Sequence, residues 1–208
     1  MAEQKQRLGI LASGRGTDLQ SIIDAVARDE IHADIAIVLS DNPDAYAIER
    51  AKKAGIQAVC VNRKEYADRK SFEEVLVKEL RDAGVTLVVL AGFMRILTPY
   101  FVRSFPGHIL NIHPALLPSF PGAHAHRDVL AYGVKISGCT VHFVDEGTDS
   151  GPIIAQRSVP VLDDDTEETL GARVLIQEHM LYPQVIELFC GGRLQVEGRH
   201  VRILPPKK

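Results

Sequence analysis

The stretch Leu8-Gly9-Ile10-Leu11-Ala12-Ser13-Gly14-Arg15-Gly16-Thr17-Asp18-Leu19 changes character twice along its length. Residues 8–12 are apolar or small throughout, the pattern of a strand covered on both faces. Residues 13–17 contain Gly14 and Gly16 and read as a turn. Over 18–28, Leu19, Ile22, Ile23 and Val26 recur at helical spacing. Strand, tight turn and helix in direct succession open an α/β fold.

The same alternation continues outward. Residues 35–39 form an apolar run, 45–54 a helix ended by Gly55, and 57–61 a short strand. Residues 69–83 make a long amphipathic helix ended by Gly84, followed by an almost wholly apolar strand at 87–91. Thr98-Pro99 is an N-cap with proline at the first helical position, so a short helix starts there. Residues 109–112 are the fifth strand. Beyond it the pattern loosens into a Pro-, Gly- and His-rich ordered loop over 115–127, with a short helix closing at 128–132. Residues 137–144 and 152–161 read as two strands, antiparallel across a Gly/Asp-rich loop. Asp165 with Glu168 resembles a capping box and begins a long helix to about residue 189, bent near Pro183. Residues 194–197 and 201–204 flank Gly198 as a terminal hairpin. The fold class is therefore α/β: a Rossmann-like, mostly parallel twisted sheet of about seven strands. Helices cover both faces, and antiparallel strands lie in the C-terminal half.

At 208 residues the chain is long enough for one sizeable core, and it reads as a single domain. A net charge of −3 argues against general nucleic-acid binding or attachment to a membrane through a basic surface. No apolar run reaches the roughly 18 residues of a membrane span. Residues 1–7 are polar and lack the apolar centre of a signal peptide. Cys60, Cys139 and Cys190 match neither a disulfide framework nor a zinc pattern; each has apolar neighbours and is expected in the core, and a cytoplasmic location follows. His113, His124, His126 and His142 match no zinc spacing, so no metal is expected.

The chemistry concentrates at Asn111-Ile112-His113-Pro114. Residues i and i+2 of a strand share a face, so Asn111 and His113 lean into one space at the carboxyl end of the fifth strand. Ligands of open α/β sheets bind outside such ends. An amide can donate to an oxyanion, and an imidazole moves protons near neutral pH. The acidic loop 144–152 supplies Asp145, Glu146 and Asp149; a carboxylate close to His113 would hold the imidazole as a donor. Amide, imidazole and carboxylate without a neighbouring Ser or Cys suggest acyl transfer with no covalent enzyme intermediate.

Three further segments stand out. The glycine turn leaves amide N–H groups at a helix N-terminus, a physical anion site, but it is neither the full dinucleotide fingerprint nor a Walker loop. Ala91-Gly92-Phe93-Met94-Arg95-Ile96-Leu97 follows a strand and can either wall a flat ring or simply pack as core. Glu178 falls on the apolar stripe of the last helix, formed by Leu170, Val174, Leu181, Val185 and Phe189. It therefore needs a partner, either an arginine such as Arg173 or Arg127 or a ligand group.

Taken together, these segments resemble the phosphoribosylglycinamide formyltransferases, the 10-formyltetrahydrofolate-dependent enzymes of de novo purine synthesis. The resemblance rests on Ser13-Gly14-Arg15-Gly16-Thr17, on Leu90-Ala91-Gly92-Phe93-Met94-Arg95-Ile96-Leu97, on Asn111-Ile112-His113-Pro114-Ala115-Leu116-Leu117-Pro118 and on Asp149-Ser150-Gly151-Pro152-Ile153-Ile154, in that order. It covers nearly the whole chain as one formyltransferase domain, 1–208, with a nucleotide phosphate-binding half at about 1–100 and a folate-binding and catalytic half at about 101–208.

The resemblance implies Asn111, His113 and Asp149 as the catalytic trio. It implies Gly16, Thr17, Asp18 and Glu178 for the nucleotide substrate, glycinamide ribonucleotide. For the folate it implies Arg69, Met94, Arg95, Ile96, Leu97 and Asn111, with Asp145, Glu146, Gly147, Thr148 and Asp149 closing the pocket. 10-Formyltetrahydrofolate is then a co-substrate, no metal is required, and the partners are small molecules acting on a monomer or homodimer. Asp18 departs from the family, which often carries Asn there, and an acid beside a phosphate is unfavourable unless it turns away or Arg15 offsets it.

Competing readings are formyltetrahydrofolate deformylase, methionyl-tRNA formyltransferase and a non-catalytic nucleotide-binding module. The first would carry an N-terminal regulatory domain, for which a first strand near residue 8 leaves no room. The second would need a C-terminal RNA-binding domain and a basic surface. The third is disfavoured by the joint presence of Asn111, His113 and Asp149.

Overall fold

The computed structural model describes residues 5–206. It divides into two compact units, Met1–Leu110 and Asn111–Lys208. In the first, strands and helices alternate: β1 Gln6–Leu11, α1 Thr17–Ala27, β2 Ala33–Ser40, α2 Tyr46–Lys53, β3 Ala58–Cys60, α3 Arg69–Asp82, β4 Leu87–Leu90 and α4 Pro99–Ser104. β1 pairs in parallel with β2 and β4, and β2 pairs in parallel with β3. Leu8 and Ile10 on one face of β1 and Leu11 on the other are fully buried, as a strand covered on both sides requires. Gly9 leaves the space into which Leu80 and Val85 pack; a Cβ there would collide with both.

β5, Ile109–His113, carries Asn111–His113 into the second unit. There follow α5 Ala125–Tyr132, β6 Ile136–Phe143, β7 Ile153–Pro160, α6 Glu167–Cys190, β8 Leu194–Glu197 and β9 His200–Ile203. β6 and β7 are antiparallel across the acidic loop. α6 buries Leu170, Val174, Leu181, Tyr182, Val185 and Ile186 and packs against β6 and β7. The architecture is thus a Rossmann-like α/β fold with a mostly parallel sheet and antiparallel strands toward the C-terminal end.

The sheet has nine strands, not about seven, because the terminal hairpin joins it. β9 meets β7 through Ile153↔His200, so the edge that β7 would expose is covered. Three local expectations are corrected. The capping box of α6 is Thr166 with Thr169, one residue beyond Asp165 and Glu168. Asp165 instead takes Arg173 in a two-pronged ion pair, at 2.7 and 2.8 Å, and accepts the Leu162 N–H at 2.7 Å. Arg173, followed by that amide, holds the Asp165 carboxyl well below the usual carboxylate range. Second, α5 starts at Ala125, so His126 and Arg127 sit on a helix rather than in the loop. Third, Cys60 is exposed, because it ends the edge strand β3; Cys139 is buried, and burial pushes the half-buried Cys190 thiol up to about 12. α6 runs as one element through Pro183. Among the described residues no helix is long and apolar enough to cross a membrane.

Candidate active site

In the first unit, the turn between β1 and α1 is built so that only glycine fits at its end. Gly16 is the N-cap of α1 at φ 67°, ψ 39°, a left-handed conformation, and an added Cβ would lie 2.8 Å from that of Ala47. The loop's carbonyls are tied outward. Gly14 O accepts from the Ala47 N–H at 3.1 Å, Arg15 O from the Arg50 guanidinium at 2.8 Å, and Ser13 O from the Asn42 amide at 3.2 Å. The first-turn N–H groups of a helix point away from its own carbonyls, and such a turn is suited to an anion. Thr17 and Asp18 occupy that turn. Burial pushes the Asp18 carboxyl up to about 6.

The 91–97 segment lies in the same unit. The Met94 N–H donates to Ser13 Oγ at 2.9 Å, tying this segment to the glycine turn. A cavity of about 280 Å³ is lined by Arg63, Arg69, Phe72, Met94, Arg95 and Ile96 among others. Four of the residues assigned to folate by resemblance therefore share one cavity, whereas Leu97 is buried and does not line it. Met94 and Ile96 are 71% and 60% exposed, unusual for large apolar side chains and suited to one face of a flat ligand. Arg95 is oriented by the buried Asp41 carboxylate at 2.6 Å. Glu73, buried in α3, accepts both the N–H of Thr98 (2.9 Å) and its hydroxyl, fixing the segment's far end. That is why Thr98 sits at the N-cap of α4 without capping it through its side chain. Arg63 was not anticipated; its only signal was a basic residue shortly before α3.

In the second unit, Asn111 and His113 share a face of β5 as the two-residue period requires. His113 is 4% exposed. Its Nε2 donates to the carbonyl of Phe120 at 2.8 Å, and its Nδ1 lies 3.5 Å from Asp149 Oδ2. Asp149 also accepts the Gly122 N–H at 2.8 Å. Phe120 and Asp149 both adopt positive φ, 55° and 50°, an uncommon state for residues other than glycine. Thr140 fixes the chain leaving His113: its hydroxyl donates to Ala115 O at 2.7 Å and accepts the Leu117 N–H at 3.0 Å.

Of the acidic loop, Asp149 lies against this cluster. Asp145 accepts from the Gly147 N–H and the Ser150 hydroxyl of its own loop, at 3.1 and 2.6 Å. Glu146, Gly147 and Thr148 are exposed. Glu178 is buried on α6; Arg173 pairs with Asp165, and Arg127 pairs with Asp128 at 2.9 Å.

His142, named from sequence only as a histidine outside any zinc spacing, is the group the reading missed. It is 2% exposed on β6, with Nε2 3.1 Å from Asn111 Nδ2 and 3.8 Å from Asp149 Oδ1. Burial, ahead of every other influence, pushes its pKa down. Among the described residues no group of three or more His, Cys, Asp or Glu is placed to hold a metal.

A formyl transferase family model matches residues 6–186. The chain is 43% identical over 195 residues to the trifunctional purine biosynthetic protein adenosine-3 of Drosophila melanogaster; the match takes in 92% of this chain but only 14% of that protein's length. It is 44% identical over 187 residues to the phosphoribosylglycinamide formyltransferase of Escherichia coli K12, covering 90% of this chain and 88% of the relative. The crystal structure of glycinamide ribonucleotide transformylase 1 from Symbiobacterium toebii superimposes with a TM-score of 0.96 at 49% identity, covering 99% and 98% of the two chains. With the family model spanning most of its length and relatives well above 30% identity over nearly all of it, the chain belongs to the formyl transferase family.

Proposed function

We propose that the chain transfers the formyl group of 10-formyltetrahydrofolate to the amine of glycinamide ribonucleotide, giving formylglycinamide ribonucleotide and tetrahydrofolate. The observation that carries this reading is the cluster of Asn111, His113 and Asp149 at the end of β5, in a chain of this family. The substrate amine attacks the formyl carbon directly. A C–N bond forms, the carbonyl oxygen gains negative charge, and the bond from that carbon to the folate nitrogen then breaks. Asn111 donates an amide N–H to the oxyanion, worth about 3–4 kcal/mol if it behaves as other single oxyanion donors do. His113 and Asp149 carry the proton that leaves the attacking amine and must reach the departing folate nitrogen. The hydrogen bond from Nε2 to Phe120 O leaves the Nδ1 edge, facing Asp149, as the edge over which that proton moves.

The remaining assignments follow the family. The turn at Gly16, Thr17 and Asp18, together with Glu178, takes the nucleotide. Arg69, Met94, Arg95, Ile96 and Leu97, with the 145–149 loop, take the folate. In this reading the nucleotide phosphate belongs to the half at about 1–100 and the catalytic chemistry to the half at about 101–208. The protein works in the cytoplasm on small molecules, as a monomer or homodimer. The test is to mix it with 10-formyltetrahydrofolate, with and without glycinamide ribonucleotide, and follow folate absorbance. Turnover that depends on the nucleotide supports the reading. Turnover without it would indicate a hydrolase, and none in either case a binding module.

A further inference from the structure

An amide can serve an oxyanion only if its NH₂ edge, not its oxygen, faces the reacting carbon. Nothing in an isolated asparagine enforces that choice. At Asn111 the immediate neighbour of Nδ2 is His142 Nε2, at 3.1 Å. The other ring nitrogen of His142 lies 2.8 Å from the carbonyl oxygen of Phe143. A carbonyl only accepts, so Nδ1 carries a proton. In a neutral ring Nε2 is then a bare lone pair, which can receive an N–H and repels an amide oxygen.

We infer that His142 is a positioning residue for the proposed transfer: as a neutral imidazole protonated on Nδ1, it accepts one amide N–H of Asn111 and so aims the other at the oxyanion. The inference rests on the reading of Asn111 as the oxyanion donor.

Opposing influences compete for the state of this ring. The Phe143 hydrogen bond, which stabilises the cation, favours a second proton on Nε2, as do the charges of Asp149, whose Oδ1 lies at 3.8 Å, and of Asp145. Burial opposes all three and outweighs them, with His113 adding to it. The ring is 2% exposed, where an imidazolium would lack water. Were Nε2 protonated, Asn111 would have to turn its oxygen toward it and withdraw the NH₂ group. The backbone supports a fixed placement. The pairing of β6 with β7 shifts register between Val141 and His142, a local irregularity of the kind that re-aims a side chain, and the Phe143 N–H is pinned to Pro152 O at 3.0 Å.

The test is steady-state kinetics with both substrates on four variants. H142L removes the acceptor, and kcat should fall roughly 10- to 100-fold, short of the 10²- to 10³-fold for losing an oxyanion donor outright. KM for either substrate should move less than about twofold, the signature of an interaction made only in the transition state. H142Q, whose side-chain oxygen can accept the same N–H, should recover most of the rate. In an N111A background H142L should have no further effect, because its action passes through the missing amide. Multiplicative losses in the double variant, a wild-type kcat in H142L, or H142Q as impaired as H142L would each overturn the inference. Nitrogen NMR of ¹⁵N-histidine-labelled wild-type protein needs no variant: His142 should be the neutral Nδ1–H tautomer, and an Nε2–H or doubly protonated ring at neutral pH refutes it. A wild type with no formyl transfer would overturn the functional reading and the inference together. An active wild type with an unimpaired H142L overturns the inference alone.

Discussion

Asp18 offers a quantitative test of the glycine turn, because replacing it with Asn keeps the shape and removes the charge. Burial raises its carboxyl from 3.8 to about 6. The unfolded chain therefore releases this proton near 3.8 while the folded chain keeps it to about 6. Between those values the native state binds more proton than the unfolded state, so stability falls as pH rises. Above about 6 the full cost of ionising this half-buried carboxylate, one oxygen of which is sealed from solvent, is present. A shift of roughly two units at 1.36 kcal/mol each gives about 3 kcal/mol. The charge also lies in the first turn of α1, where the helix dipole returns about 0.3–1 kcal/mol. D18N should therefore stabilise the protein by about 2–3 kcal/mol at pH near 7.5, and the two proteins should converge toward pH 4. For a chain of this size that is a rise in Tm of about 4–12 °C. Thermal and urea melts between these pH limits measure it. Parallel stability curves for the two proteins, or a less stable D18N at neutral pH, would refute the burial argument. The same substitution should tighten inorganic phosphate binding, since it removes an anion from the loop.

Three other outcomes are expected. G16A places a Cβ against Ala47 at a backbone angle that alanine avoids, so it should cost at least 1–3 kcal/mol in urea melts and weaken nucleotide binding. D149N should lower kcat strongly while nucleotide affinity, read by isothermal calorimetry, stays nearly unchanged; full activity in this variant would sink the proton-transfer role. T166A removes one half of the α6 capping box and should cost about 1 kcal/mol, with kcat unaltered.

Much of the scaffold was legible because apolar periodicity is a local signal. β1, its turn and α1 follow from residues 8–28 alone, and the shared face of Asn111 and His113 follows from the two-residue strand period. The contacts that complete the site are not local. Asp149 reaches His113 across 36 residues of chain and from a left-handed backbone step, which a residue other than glycine gives no reason to expect. Arg95 is aimed by Asp41 and Thr98 by Glu73, pairs separated by 54 and 25 residues, so no sequence window contains them. His142 was invisible for a different reason. A single histidine among Val141, Phe143 and other buried residues of β6 has the same local pattern whether it is packing or positioning. Cys60 shows the converse error, since apolar neighbours mark a strand but not whether that strand lies at the edge.

The backbone around His113 constrains where its ring can sit. Residues other than glycine at positive φ cost on the order of 1–3 kcal/mol each, and structures keep them where surrounding contacts over-determine the conformation. Among the described residues of this unit the two instances, Phe120 and Asp149, are direct partners of the His113 ring, one on each nitrogen. Their positions are also coupled, because Gly122, two residues beyond Phe120, donates to the Asp149 carboxylate. A ring held from both sides by segments that bond to each other cannot rotate unless those contacts break together. In a direct transfer no covalent intermediate holds the formyl group to the protein. Alignment of amine, formyl carbon and proton carrier must then come from such preorganised geometry, and a displacement of about 1 Å can cost a hundredfold in rate. Under the direct transfer proposed above, the strain at residues 120 and 149 would sit beside the group that has to be held most rigidly.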